Sequence, residues 1–211
     1  VVVPTWVLRP RAMPAAKLPV TIILAKSGKD ALLAQTGNNA PRDLALHGAL
    51  VVLPDLRTFG ESFSTGTKNT TKQALAWERN GIVWGRPVLG MAVTDLQAVL
   101  DGISPRPDVP FGNVQIVTKG SGDLALAGLM AMALDSRITR ADLDFAGACY
   151  RHRNLMPIPR ILLHGDVLEW ALLVADRRAL LRNLPRGAGN EALLYRALEY
   201  LGNAAGVEIV R

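Results

Sequence analysis

Few residues in this chain could do chemistry, and the most suggestive is a serine between two glycines. The run Gly120-Ser121-Gly122 joins a β-branched stretch at 113–118 to a small-residue helical stretch at 123–135. A serine at a strand-to-helix corner can stand exposed as a nucleophile, and glycines around it accept the positive φ that such a corner imposes. A hydroxyl is inert at neutral pH unless a base lies within hydrogen-bond reach and an acid orients that base. Three histidines, His47, His152 and His164, and one cysteine, Cys149, complete the reactive inventory.

Each has a structural reading beside the chemical one. His47 ends a helical pattern, where a cation favours the helix dipole. His164-Gly165-Asp166 stands at the end of an apolar run, which suits a histidine satisfying a local hydrogen bond; an acid in that register would be Asp166 or Glu169. Arg151, His152 and Arg153 form a basic cluster after a strand pattern, where ligands of open α/β sheets bind. Arg151 and His152 are therefore candidates for gripping a carboxylate or sulfate, against the alternative of a solvated loop. Cys149 beside Ala146, Gly147 and Ala148 reads as buried packing, and alone it excludes an internal disulfide. Scattered histidines without an H-E-x-x-H or paired-carboxylate spacing argue against a metal site. Leu124 and Ala125 follow Gly120-Ser121-Gly122 where a dinucleotide fingerprint needs its third glycine, so no cofactor is expected.

The elements that must position these residues are legible from periodicity. With 211 residues, 49% hydrophobic and 20% charged, the chain suits one domain spanning 1–211, here expected to be a module of a longer protein. Its net charge of +6 comes without a basic run or interleaved aromatics, so nucleic acid is not an expected partner. No apolar run reaches the roughly 20 residues of a membrane span. Apolar runs at 19–26, 49–55 and 113–118 alternate with helical patterns, pointing to a doubly wound α/β architecture with a mainly parallel sheet. The first run, broken by Pro4, suits an edge strand. Leu96, Val99, Leu100 and Ile103 mark one amphipathic helix. Later strands are expected at 141–147, 160–163, 178–184 and 206–210, with helices at 168–174 and 191–201. Residues 56–86 read as a long polar loop with a short helix near Trp77, and Trp77 and Trp84 in it could stack on sugar rings.

Two registers are possible at the corner. With Ser121 as nucleophile, the residues two away on either side are Lys119 and Asp123, both bulky. With Gly120 opening the pattern, the nucleophile position is Gly122, a corner without a nucleophile.

Here the sequence resembles the α/β-hydrolases, in particular bacterial acetyl xylan esterase-like hydrolases. Residues 51–62, with Asp55, Arg57, Gly60 and Ser62, are similar to the D-x-R-G-x-G-x-S segment of that family, Thr58 replacing its glycine. Residues 84–103 and 114–138 resemble the helix and the strand-corner-helix that follow, and 161–185 the stretch leading to the family's acid-bearing strand. The resemblance implies an oxyanion loop at Ser27 and Gly28, where Lys26 and Lys29 could also hold an anion, and an extracytoplasmic location. It also implies an acid after 178–184, where only Glu191 is offered, and a histidine after 206–210, where the sequence ends at Arg211. The expectation is a C-terminally short α/β-hydrolase-like domain, catalytically degenerate, binding a carbohydrate or ester ligand or other domains of a carbohydrate-active or cell-surface protein. The alternative is an active acetyl or carboxylic ester hydrolase with Ser121 as nucleophile; a third reading is a fragment whose missing histidine comes from another segment or chain.

Overall fold

The computed structural model describes residues 2–10, 18–37, 40–63, 70–106, 113–152, 155–202 and 206–211, with backbone alone at 70–74. The polar run at 64–69, the Pro-rich connector at 107–112 and Arg153 lie outside the described residues.

Seven strands form one sheet. They are β1 (Thr5–Leu8), β2 (Val20–Ala25), β3 (Leu50–Pro54), β4 (Val114–Lys119), β5 (Ile138–Asp144), β6 (Arg178–Arg182) and β7 (Val207–Val210), in the order β1-β3-β2-β4-β5-β6-β7. Only β1 runs antiparallel, pairing Thr5 with Pro54 and Leu8 with Val51 at the edge. The central strands β2 and β3 are buried throughout, as a continuous apolar run predicts.

β2 divides its side chains between two cores. Val20, Ile22 and Leu24 face a large cluster built with α4 (Val88–Ile103) and α5 (Gly122–Leu134). Ile23 and Ala25 face a smaller one with α1 (Gly28–Leu33) and α2 (Pro41–Leu46). Beyond β2 that second face opens: β4 and β5 alternate buried with half-exposed residues, and Arg182 on β6 pairs with Asp142 on β5 at 2.6 Å.

α5 is the centre of the molecule. Leu124, Ala125, Leu126, Ala127, Leu129, Ala131 and Met132 are all buried, and a Cβ on Gly128 would come within 3.0 Å of Leu143 Cδ2. Small side chains are what let this helix lie close against β4 and β5.

Two expectations fail. Residues 70–83, expected to be mostly loop, form the 14-residue helix α3 (Thr70–Val83). Residues 161–163, expected as a strand, form a 3-10 turn after Arg160, whose φ is +63°. That turn leads into α6 (Val167–Ala171), and α7 (Glu191–Tyr200) joins β6 to β7.

Candidate functional site

The carboxyl ends of β2, β3 and β4 converge on a cleft of about 500 Å³, lined by Lys26, Thr58, Phe59, Trp77, Glu78 and Asp123 among others. Open α/β sheets bind ligands at this end.

The segment after β3 is held by four of the residues in the D-x-R-x-x-G-x-S run. Asp55 accepts the Lys29 N–H at 2.7 Å and the Glu61 N–H at 2.9 Å, while its carboxylate pairs with Lys29 Nζ at 3.3 Å. Lys29 also pairs with Glu61. Both Lys29 and Asp55 are buried, so Lys29 is a clamp between two loops and not an anion-binding lysine beside a turn. Arg57 grips the fully buried Asp95 of α4, with Nε 2.9 Å from Oδ1 and the Arg57 N–H 2.9 Å from Oδ2. Gly60 is required because a Cβ there would lie 2.2 Å from Asp55 Oδ1. Ser62 closes the loop by donating to the Asp55 carbonyl at 3.1 Å.

Thr58, in the middle of this loop, is strained. Its φ is +68°, a conformation that costs a non-glycine residue about 1–2 kcal/mol, and its Oγ1 is buried with no hydrogen-bond partner among the described residues. Ser27 lines the cleft and Gly28, at φ +84°, is buried beside it, where a Cβ would come within 2.6 Å of Gly60 Cα.

The corner after β4 resolves the register. Gly120 carries the positive φ, +62°, and a Cβ there would meet nothing within 4 Å. Gly122, expected at the nucleophile position, is instead the first residue of α5; a Cβ on it would strike Ala148 Cβ at 2.4 Å and the Phe145 carbonyl at 2.9 Å. The sequence expectation is corrected by two residues: the turn is made at Gly120 and the close packing at Gly122. Asp144 ties the corner down, accepting the Gly120 N–H at 2.9 Å, the Ala146 N–H at 3.0 Å and the Asn183 amide at 2.8 Å. Burial pushes the Asp144 carboxyl up, but Asn183 and the two backbone N–H groups outweigh it, leaving it below its ordinary range.

Ser121 is the N-cap of α5. Its backbone is extended, it is 7% exposed, and its Oγ accepts the Leu124 N–H at 3.4 Å. Among the described residues no histidine ring bonds to it. His47 Nδ1 lies 2.8 Å from the Asp43 carbonyl, His152 Nε2 lies 3.1 Å from the Arg186 carbonyl, and His164 is exposed beside the turn at 161–163.

The other acids are placed as well. Asp166 is fully buried and accepts the N–H groups of Tyr150, Arg151 and Val167 at 2.9–3.0 Å, while Glu169 accepts those of Asp166 and Asn190. Both serve as loop braces. Glu191 opens α7 and pairs with Arg211.

Of the ligand-binding candidates, the structure brings Trp77 to the cleft, with Ser27 and Lys26. Trp84 lies in an adjoining groove with Asn80, Arg86 and Met91, of which Trp77 is the shared wall. Arg151 and His152 are exposed at the end of β5 and line neither.

Sequence reading named Lys26 but missed the cleft's two acids. Asp123 accepts the Met156 N–H at 2.6 Å; burial raises its carboxyl, against the pull of that N–H and of Lys26. Glu78 of α3 is raised by burial and by the nearby Asp123. The signal for Asp123 was present, a lone acid opening an otherwise apolar helix; nothing in the sequence pointed to Glu78.

Neither a protein-family model nor a curated protein sequence matches the chain. Solved structures do. A Bacteroides fragilis protein assigned as an acetyl xylan esterase superposes with a TM-score of 0.75 at 16% identity, over 98% of this chain and 62% of its own. An acetyl xylan esterase from a Paenibacillus species gives 0.57 at 16% identity, over 97% and 71%. A glucuronoyl esterase from Caldicellulosiruptor kristjansonii gives 0.62 at 16%, over 98% and 66%. The chain thus spans less than two thirds of the Bacteroides protein. Sheet order, the single antiparallel edge strand, the β4–α5 corner and these superpositions together establish that the chain has the α/β-hydrolase fold.

Proposed function

We propose that this esterase-like domain does not work through a serine triad, and that its cleft serves binding or assembly within a larger carbohydrate-active or cell-surface protein. The observation that carries this reading is the corner at Gly120. In a nucleophile corner the residue at positive φ presents its side chain to the substrate. Here that position is a glycine with open space where Cβ would be, and the neighbouring serine is turned away and spent on capping α5. What remains is a cleft walled by Phe59, Phe63 and Trp77, with Lys26, Glu78 and Asp123 as polar groups. Apolar walls with a few placed polar groups are the composition of a small-molecule site. The esterases that share this fold suggest a carbohydrate or ester ligand, with Trp77 and Trp84 as stacking surfaces along the cleft and its adjoining groove.

The test is labelling of the folded protein with a fluorophosphonate, read by mass spectrometry of the peptide containing Ser121. An unmodified peptide is expected. Stoichiometric modification at Ser121 would establish the rival reading, an active ester hydrolase.

A further inference from the structure

The geometry points to a ligand that presents a primary ammonium group to the cleft, received by Glu78 and Asp123 against the rings of Phe59, Phe63 and Trp77. This deepens the reading above and rests on the cleft being a ligand site.

Two carboxylates on the cleft wall have oxygens without donors among the described residues, and a buried hydroxyl of a third lining residue is unpartnered as well. Among the described residues the Glu78 carboxylate has no hydrogen bond or ion pair, and its electrostatic neighbour is another carboxylate. Asp123 spends Oδ1 on the Met156 N–H and leaves Oδ2 without a donor. In the loop after β3 the Thr58 hydroxyl, closed off from solvent, has no hydrogen-bond partner among the described residues. They belong to three separate elements, α3, α5 and the loop after β3, and meet only here. An ammonium carries three N–H donors and no acceptor, which is what such a wall lacks.

Charge and surface agree with this assignment. Burial holds both half-buried carboxyls above their ordinary range, and the charge of Asp123 adds to this at Glu78, a situation that a bound cation would relieve. Aromatic faces add attraction for a cation within about 6 Å of a ring. Lys26, on the same lining, is exposed and acts on Asp123 only from a distance, with no ion pair within 4 Å among the described residues, so it leaves room for a closer cation. An anionic ligand would suit Lys26 but would meet two carboxylates of its own sign.

The experiment titrates the full chain with benzylammonium, benzyl alcohol and benzoate at neutral pH, following Trp fluorescence and ligand-observed NMR. Benzylammonium is expected to bind about tenfold or more tightly than benzyl alcohol, as hydrogen bonds to charged groups allow. Glu78→Gln, a change on a surface helix that keeps shape, is expected to erase that preference, and Lys26→Met to strengthen it. A second pair, glucosamine against N-acetylglucosamine, tells whether an amino sugar is a fitting source of the ammonium. Equal binding of benzylammonium and benzyl alcohol, tighter binding of benzoate, or a preference that survives both Glu78→Gln and Asp123→Asn would overturn the ammonium assignment while leaving the cleft a ligand site. No binding by any probe would overturn both.

Discussion

Gly120 and Gly122 differ by two positions and by opposite physics, so replacing each with alanine separates them. At Gly120 the new Cβ enters open space but must adopt a φ of +62°. The left-handed conformation costs about 1–2 kcal/mol, and the lost flexibility of the unfolded chain returns about 0.4–1 kcal/mol. The net destabilisation should be roughly 0.5–1 kcal/mol. At Gly122 the φ is helical, but the Cβ would lie 2.4 Å from Ala148 Cβ, where carbon atoms prefer about 3.5–4.0 Å. Ala148 Cβ and the Phe145 carbonyl cannot rotate away, so the backbones of α5 and the loop after β5 must part, at a cost of about 3 kcal/mol. Urea unfolding reads the difference. With a slope of roughly 2 kcal/mol per molar, the midpoint should fall by about 0.3–0.5 M for Gly120→Ala and about 1.5 M for Gly122→Ala. The reverse order would place the turn at Gly122 and refute the assignment of the corner.

Three further outcomes follow from the loop after β3 and the cleft. Arg57→Met should destabilise the fold by about 3 kcal/mol, because it strands the buried Asp95 carboxylate; adding Asp95→Leu should recover part of the loss in the same urea assay. Thr58→Gly should raise stability by about 1 kcal/mol, by releasing a strained φ and removing an unpartnered hydroxyl. A drop in stability there would mean that the hydroxyl is satisfied in solution. Burial and Asp123 hold the Glu78 carboxyl above its ordinary value, so the folded state binds that proton more tightly than the unfolded chain does. The stability contributed is therefore complete below the unfolded value of about 4.3 and is lost as pH rises through the folded one. Glu78→Gln should consequently raise the melting temperature relative to wild type near pH 7 and not near pH 3; an equal shift at both would show that the carboxyl is not perturbed.

How much of this was legible in the sequence depends on whether one strand or helix sufficed to show it. β2 and β3 were plain because burial on both faces leaves an unbroken apolar run, and α4 because a single face repeats at i, i+3, i+4 and i+7. α3 reads as loop in the sequence because it is rich in polar residues and exposes Leu75, Trp77 and Val83, so its sequence carries little helical stripe. The 161–163 turn looked like a strand because three consecutive apolar residues fit either, and only the left-handed Arg160 decides. The corner was recognised, but its register needed a φ value. Asp55, Arg57, Gly60 and Ser62 were noticed as a pattern, while their work as loop clamps emerged only with Lys29 and Asp95 in place. Glu78 and Asp123 meet through tertiary packing of distant segments, which no local pattern records.

Hydrolysis of p-nitrophenyl acetate by the folded chain, run beside Ser121→Ala, tests the central claim most directly. Ser121→Ala removes an N-cap and should cost about 0.5–1 kcal/mol of stability, so both proteins remain folded for the comparison. The corner at Gly120 predicts equal, background rates for the two. Turnover by the native chain that vanishes in Ser121→Ala would make the serine a working nucleophile and contradict the account.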